Sequence, residues 1–230
     1  MKLILLAAMM AALARPALAQ VGHAPSSSPY HDLVYKQEFT VYWGHFSGSR
    51  GSAGVAPGAG SLLGLRYGLH VGGPVQLAAS FSRASSDRTI LDPTKTGAAR
   101  TVGSESWPLY LADLGMALNL TGRKSYHHFV PLVNAGLGAV SDGGKSGDVG
   151  GFKLGTRFAL SFGAGIRWTP GGHYQLRADF TDYLYQLQYP LSYFAPPSGG
   201  GSPIFPATGS RKQWTHNPVL SIGISYVFTR

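Results

Sequence analysis

The chain has no cysteine. That excludes disulfide staples, thiolate metal sites and thiol nucleophiles, so the fold rests on hydrogen bonding and burial. Charged residues make up only 13%, too few for a charge-rich coiled coil or a disordered acidic or basic tail. Beyond the first residues no stretch approaches the roughly 20 apolar residues of a membrane helix. Acidic side chains are scarce beside basic ones, 10 against 19. The resulting net charge of +9 is dispersed rather than gathered in one stripe, and with export it argues against a nucleic-acid partner. What the chain has in plenty is glycine, 32 residues, and aromatics at 12%, the composition of a curved, thin β wall.

The N-terminus reads as a secretory signal peptide over residues 1–19. Lys2 gives a positive start, Leu3 to Leu13 an apolar run, and Ala17-Leu18-Ala19 the small-x-small pattern before Gln20. Residues 20–35, rich in Pro, Ser and His, read as a flexible leader. The domain proper is expected over 36–230.

Eight segments of that domain alternate with period two, the signature of strands. Their expected bounds are Lys36 to Ser47, Ser61 to Val71, Val75 to Ser82, Ser106 to Leu120, Phe129 to Val140, Thr156 to Trp168, Tyr174 to Tyr189 and Trp214 to Phe228. The sixth is the cleanest: Phe158, Leu160, Phe162, Ala164, Ile166 and Trp168 alternate with Arg157, Ala159, Ser161, Gly163, Gly165 and Arg167. One face of each strand is large and apolar, the other small, polar or charged.

A soluble barrel or sandwich would turn the apolar faces inward. Two features decide for the reverse. Gly64, Gly68, Gly115, Gly163, Gly165 and Gly223 share their faces with Arg66, Asp113, Arg157, Arg167, Arg177 and Asp179, a mixture that cannot close a dry core. It suits the polar lumen of a narrow membrane barrel, where a serine at Gly163 is expected to be tolerated. The connections also alternate: long ones at 48–60, 83–105, 141–155 and 190–213, short ones at 72–74, 121–128 and 169–173. Long external loops and short periplasmic turns mark outer-membrane barrels. Trp43, Trp107, Trp168, Tyr174, Tyr183, Tyr185, Trp214 and Phe228 lie near strand ends and are expected in the interfacial girdles. The fold expected is therefore an all-β, eight-stranded antiparallel up-and-down transmembrane β-barrel in the cell outer membrane.

The segments Phe162-Gly163-Ala164-Gly165-Ile166-Arg167-Trp168 and Leu176-Arg177-Ala178-Asp179-Phe180-Thr181-Asp182-Tyr183, with the closing run His216-Asn217-Pro218 through Phe228, resemble the penultimate hairpin and last strand of the outer-membrane β-barrel superfamily that includes the OmpA transmembrane domain. The resemblance implies a C-terminal strand read by the barrel-insertion machinery, although Thr229 and Arg230 follow the final aromatic here.

For function, seven residues are expected to form one lumenal charge network: Glu38, Arg66, Asp113, Arg157, Arg167, Arg177 and Asp179. Eight strands enclose a space that side chains can fill, so the lumen is expected to be plugged. Arg50, Arg83, Arg88, Lys95, Arg100, Arg211 and Lys212, with Lys145 and Lys153, outnumber the acids of the long loops and are expected to meet outer-membrane lipid phosphates. The reading is a non-enzymatic protein of envelope integrity, surface interaction or minor solute passage, with no cofactor and no metal. Two alternatives stand beside it. His45-Phe46-Ser47 places a histidine and a serine on one strand face, as a lipid-acting hydrolase requires, without an assigned carboxylate. A soluble exported barrel holding an apolar ligand is the other. His127-His128 is poor chelating geometry, since adjacent extended residues point apart. Gly143-Gly144-Lys145-Ser146 lacks the full phosphate-loop spacing. Asn119-Leu120-Thr121 fits a glycosylation pattern only formally. The oligomeric state is left open.

Overall fold

The computed structural model describes residues 28–145 and 147–229; the expected signal peptide lies outside them. Ten strands follow in order: β1 Tyr30–Asp32, β2 Tyr35–Ser47, β3 Ala59–Gly72, β4 Val75–Leu91, β5 Thr101–Asn119, β6 Lys124–Tyr126, β7 Phe129–Ser141, β8 Thr156–Trp168, β9 Tyr174–Gln188 and β10 Lys212–Thr229. Every pairing is antiparallel, and eight strands close a ring in the order β2-β3-β4-β5-β7-β8-β9-β10. Closure comes from β2 against β10, in register from Val219↔Phe46 to Phe228↔Gln37. A closed ring leaves no edge to satisfy in lipid.

The period-two pattern sets the faces. Leu114, Leu63, Leu220, Phe158 and Phe162 point outward and stand exposed on the wall, while Thr40, Gln76, Ser161 and Ser225 point inward and are buried. Bulky apolar side chains therefore face outward, and the soluble-barrel alternative has its faces the wrong way round.

Three differences from the expected organisation matter. First, residues 28–34, read as part of a flexible leader, are held in place. β1 pairs with β6 through Tyr30↔Tyr126, His31↔Ser125 and Asp32↔Lys124, and Leu33 N donates to Arg123 O at 2.8 Å. Because β7, which continues β6, lies opposite β2 in the ring, this segment straps the whole mouth at the short-turn, periplasmic end. Second, the expected loop 83–105 is mostly sheet. β4 and β5 stay paired out to Leu91↔Thr101, beyond the last partners of β3 (Leu62↔Ala84) and β7 (Tyr110↔Ser141). The polar run from Ser85 to Thr89 hides this ribbon from a hydrophobicity pattern, because it stands outside the membrane. Third, the turn between β6 and β7 puts His127 and His128 in left-handed conformations (φ 48° and 70°), a geometry usually given to Asn or Gly.

Candidate functional site

The lumen has two storeys. In the lower, five of the seven expected charges meet. Glu38, fully buried on β2, accepts hydrogen bonds from Arg167 Nη2 at 3.3 Å and from Arg177 Nη1 at 3.2 Å. Arg177 grips Asp179 in a fork, Nε to Oδ2 at 2.6 Å and Nη2 to Oδ1 at 3.0 Å. Arg66 reaches the same Oδ2 at 3.3 Å. Arg167 also donates to Gln76 Oε1 at 3.0 Å and to the Tyr35 hydroxyl at 2.5 Å. The chain of contacts thus links β2, β3, β4, β8 and β9 across the barrel. Arginine suits this task because its planar fork serves two acceptors at once.

The other two expected members lie elsewhere. Asp113 accepts from Ser80 Oγ and from the Tyr183 hydroxyl, the latter at 2.9 Å, and has no arginine within ion-pair distance among the described residues. Arg157 sits at the outer end of β8, donating to Leu154 O at 2.7 Å and Gln188 Oε1 at 3.1 Å. Face parity places a residue inside; only its height along the strand decides whom it meets. Beside Arg66, Asp113 and Arg177 remains a cavity of about 20 Å³, roughly one water's room.

The upper storey is apolar, which the sequence pattern did not reveal. Phe46, Leu62, Leu109, Leu111, Val140, Tyr183, Tyr185 and Leu187 fill the barrel, and Val55, Ala56, Phe152, Leu154 and Tyr193 from the long loops close over them as one core. Two aromatics expected in the girdles, Tyr183 and Tyr185, belong to this core, and a third, Trp107, is buried outside it. Tyr183 and Tyr185 share the inward parity of Arg177 and Asp179. Trp107 lies on the β4–β5 ribbon, where Arg88 stacks on its ring at 4.5 Å. Trp43, Trp168, Tyr174, Trp214 and Phe228 do stand exposed on the wall.

The basic loop residues divide. Arg88 is only 2% exposed, ion-paired to Asp148 and stacked between Trp107 and Phe152, so it cannot meet lipid. It turns inward because its parity on β4 is that of Ala84 and Ser86. Arg83 belongs to the wall of β4, opposite Tyr110 of β5, rather than to a loop. Arg100 is anchored to the carbonyls of Lys95 and Ser202, and Arg211 to that of Tyr189. Lys95 pairs with Asp92 at 3.5 Å. Arg50 and Lys212 are exposed, and Arg50 reaches Thr89 Oγ1 at 3.4 Å.

His45 and Ser47 both stand exposed on the outer wall near the top of β2. The carboxylate on that side of the barrel, Asp182 of β9, is already engaged: it accepts from His216 Nδ1 at 2.6 Å and from Asn217 N at 2.8 Å. Asp182 has outward parity, so it needs such partners beside Phe180 and Phe162. Sequence reasoning missed this pair, since Asp182 and His216 are brought together only by the β9–β10 register. It also missed Tyr35 and Gln76; the latter shows in the inward parity of the third strand. Among the described residues, no group of three or more His, Cys, Asp or Glu side chains is placed to hold a metal.

Comparison with solved structures returns small outer-membrane barrels. Pseudomonas aeruginosa OprG is 14% identical, with 85% of this chain and 98% of that one covered at a TM-score of 0.49. The N-terminal β-barrel domain of Pseudomonas aeruginosa OprF gives 13%, 84%, 98% and 0.48 in the same order. Neisserial surface protein A gives 15%, 87%, 98% and 0.45. No curated protein matches the chain. The family model described as outer membrane protein beta-barrel domain matches residues 3–228, nearly the whole length, and the chain belongs to that family.

Proposed function

We propose that this protein is a sealed, non-enzymatic wall element of the outer membrane, fixed at its outer rim by cationic side chains on lipid phosphates. The observation that carries the reading is the double closure of the lumen. The ion network from Arg66 to Arg167 crosses the lower storey, and the loop-capped aromatic core fills the upper one. A route for solutes would have to break both. Charges buried in such a space are stable only while paired, so the network resists opening. Exposed Arg50, Lys145, Lys153, Arg211 and Lys212 give the rim its attraction for phosphate. The C-terminal strand, ending in outward Phe228, is the segment for the insertion machinery to read.

Planar-bilayer recording of the refolded protein tests the seal. The expected trace shows no stable porin-sized steps; reproducible large openings would replace the sealed wall with a solute pathway.

A further inference from the structure

Beneath the lower storey, the N-terminal strap divides the periplasmic mouth and leaves a vestibule of about 230 Å³ beside it. Its lining includes Lys36, His70, Asn119 and Arg123, with Gly72 and Gly73 of the β3–β4 turn, and holds no carboxylate. Asn119 is 2% exposed, yet neither atom of its side-chain amide meets a protein partner among the described residues. Its backbone is pinned, N donating to Pro74 O at 2.9 Å and O accepting from Gly122 N at 3.1 Å, so the side chain is held at this place. His70 stacks edge-on against Tyr35 at 5.0 Å, and its buried Nε2 likewise has no protein partner. Lys36 and Arg123 are exposed at the rim and enter no ion pair among the described residues. Glu38, the nearest carboxylate of the lumen, is taken by Arg167 and Arg177.

We infer that this vestibule is a binding site for a small phosphate group at the periplasmic face, a role separate from the sealed wall. A buried amide with both atoms unmatched is costly unless something polar fills the space. A phosphate monoanion matches it on both sides. Its oxygens accept from the Asn119 amide nitrogen, from His70 Nε2–H and from the two cations, and a hydroxyl, one of the free ion's own or one on the glycerol of a phosphatidylglycerol headgroup, donates to Asn119 Oδ1. The volume accommodates one such group with its first waters. The group arrives either as free phosphate or on the headgroup of an inner-leaflet phospholipid, since Val71 beside the site faces outward and is exposed.

Amide-resolved NMR of the refolded barrel in a phosphate-free detergent, titrated with inorganic phosphate, tests this. Saturable shifts confined to Gly72, Gly73, Asn119, Gly122 and Arg123 are expected. Lys36→Gln/Arg123→Gln should weaken binding at least tenfold, and Asn119→Ala should do so too. Arg211→Gln/Lys212→Gln at the opposite end should leave it unchanged. Heat-modifiable migration confirms that each variant is folded; should Asn119→Ala fail that check, the rim pair alone decides. Nanodiscs separate the sources. The same shifts with phosphatidylglycerol but not with an uncharged glycolipid assign a headgroup, whereas their appearance only with added phosphate assigns the free ion. Unsaturable shifts, equal weakening by the distal pair, or undiminished binding by folded Asn119→Ala would overturn the site.

Discussion

Replacing Glu38 by glutamine is the sharpest probe of the lower network. The side chain is fully buried and bridges Arg167 at 3.3 Å and Arg177 at 3.2 Å. Glutamine keeps the shape and, with its oxygen at the Oε1 position, the acceptor that both guanidinium groups use, but it removes the charge and puts an N–H₂ at the Oε2 position, which has no protein partner among the described residues. Three arginines then share the single carboxylate of Asp179. Breaking a buried ion pair from one side costs about 3–5 kcal/mol, roughly two to three and a half decades in the folding constant. Asp113→Asn is the internal control, because the hydrogen-bond partners of Asp113 are the neutral hydroxyls of Ser80 and Tyr183, and a retained acceptor limits its loss to about 0.5–1.5 kcal/mol. Urea unfolding in lipid vesicles, read by SDS-gel mobility and tryptophan emission, measures both. A Glu38→Gln loss no greater than that of Asp113→Asn would refute the claim that the charge network holds the barrel shut.

Three further outcomes are expected. Gly163→Ser should destabilise the barrel by about 1–3 kcal/mol through overpacking, because a Cβ there meets the Phe180 carbonyl oxygen; unchanged urea midpoints would show that the β8–β9 hairpin relaxes. This reverses the expectation that a polar lumen accepts a hydroxyl at that position. Phe152→Ala, removing a fully buried ring of the loop core, should cost the cap about 3–5 kcal/mol, seen as faster proteolysis of the long loops while the ring keeps its SDS resistance. Burial holds the Tyr189 and Tyr193 hydroxyls above the ordinary tyrosine value of 10.0. A folded-state pKa above the unfolded one gives stability that is full below pH 10 and lost as pH rises past it. Loop proteolysis should therefore accelerate above about pH 10, and Tyr193→Phe should blunt that rise; a flat profile would contradict the buried-phenol account.

The eight ring strands were legible because alternation survives wherever one face meets lipid and the other the lumen. β8 shows it cleanly, and its expected and observed bounds coincide at Thr156–Trp168. The pattern fails where neither face meets lipid. From Ser85 to Leu91 the β4–β5 ribbon faces water on one side and loop residues on the other, so no apolar period marks it. The loop core is invisible for a related reason: Val55, Phe152 and Tyr193 lie in short, non-periodic stretches of glycine- and proline-rich segments, and nothing local says they converge. The misplacement of Tyr183 and Tyr185 has a different origin. Their parity gave the right face, but their nearness to a strand end suggested an interface.

Parity therefore answers which way a side chain points, and register answers whom it meets. The second question belongs to the closed ring as a whole. Glu38 lies on β2 and Arg167 on β8, strands that are not neighbours in the sheet. They come within hydrogen-bonding distance across the lumen, in a ring that the pairing of β2 with β10 closes. Before that pairing Arg177 would still hold Asp179 on its own strand, but Glu38 would stand apart from Arg167 on an open, curved sheet whose edge amides are unsatisfied. Each penalty is relieved by the same event. Sheet closure and charge pairing thus reinforce one another as a single step, and the lower network sits at the short-turn end because there the strands alone, with no loop to fold in, must fill the lumen.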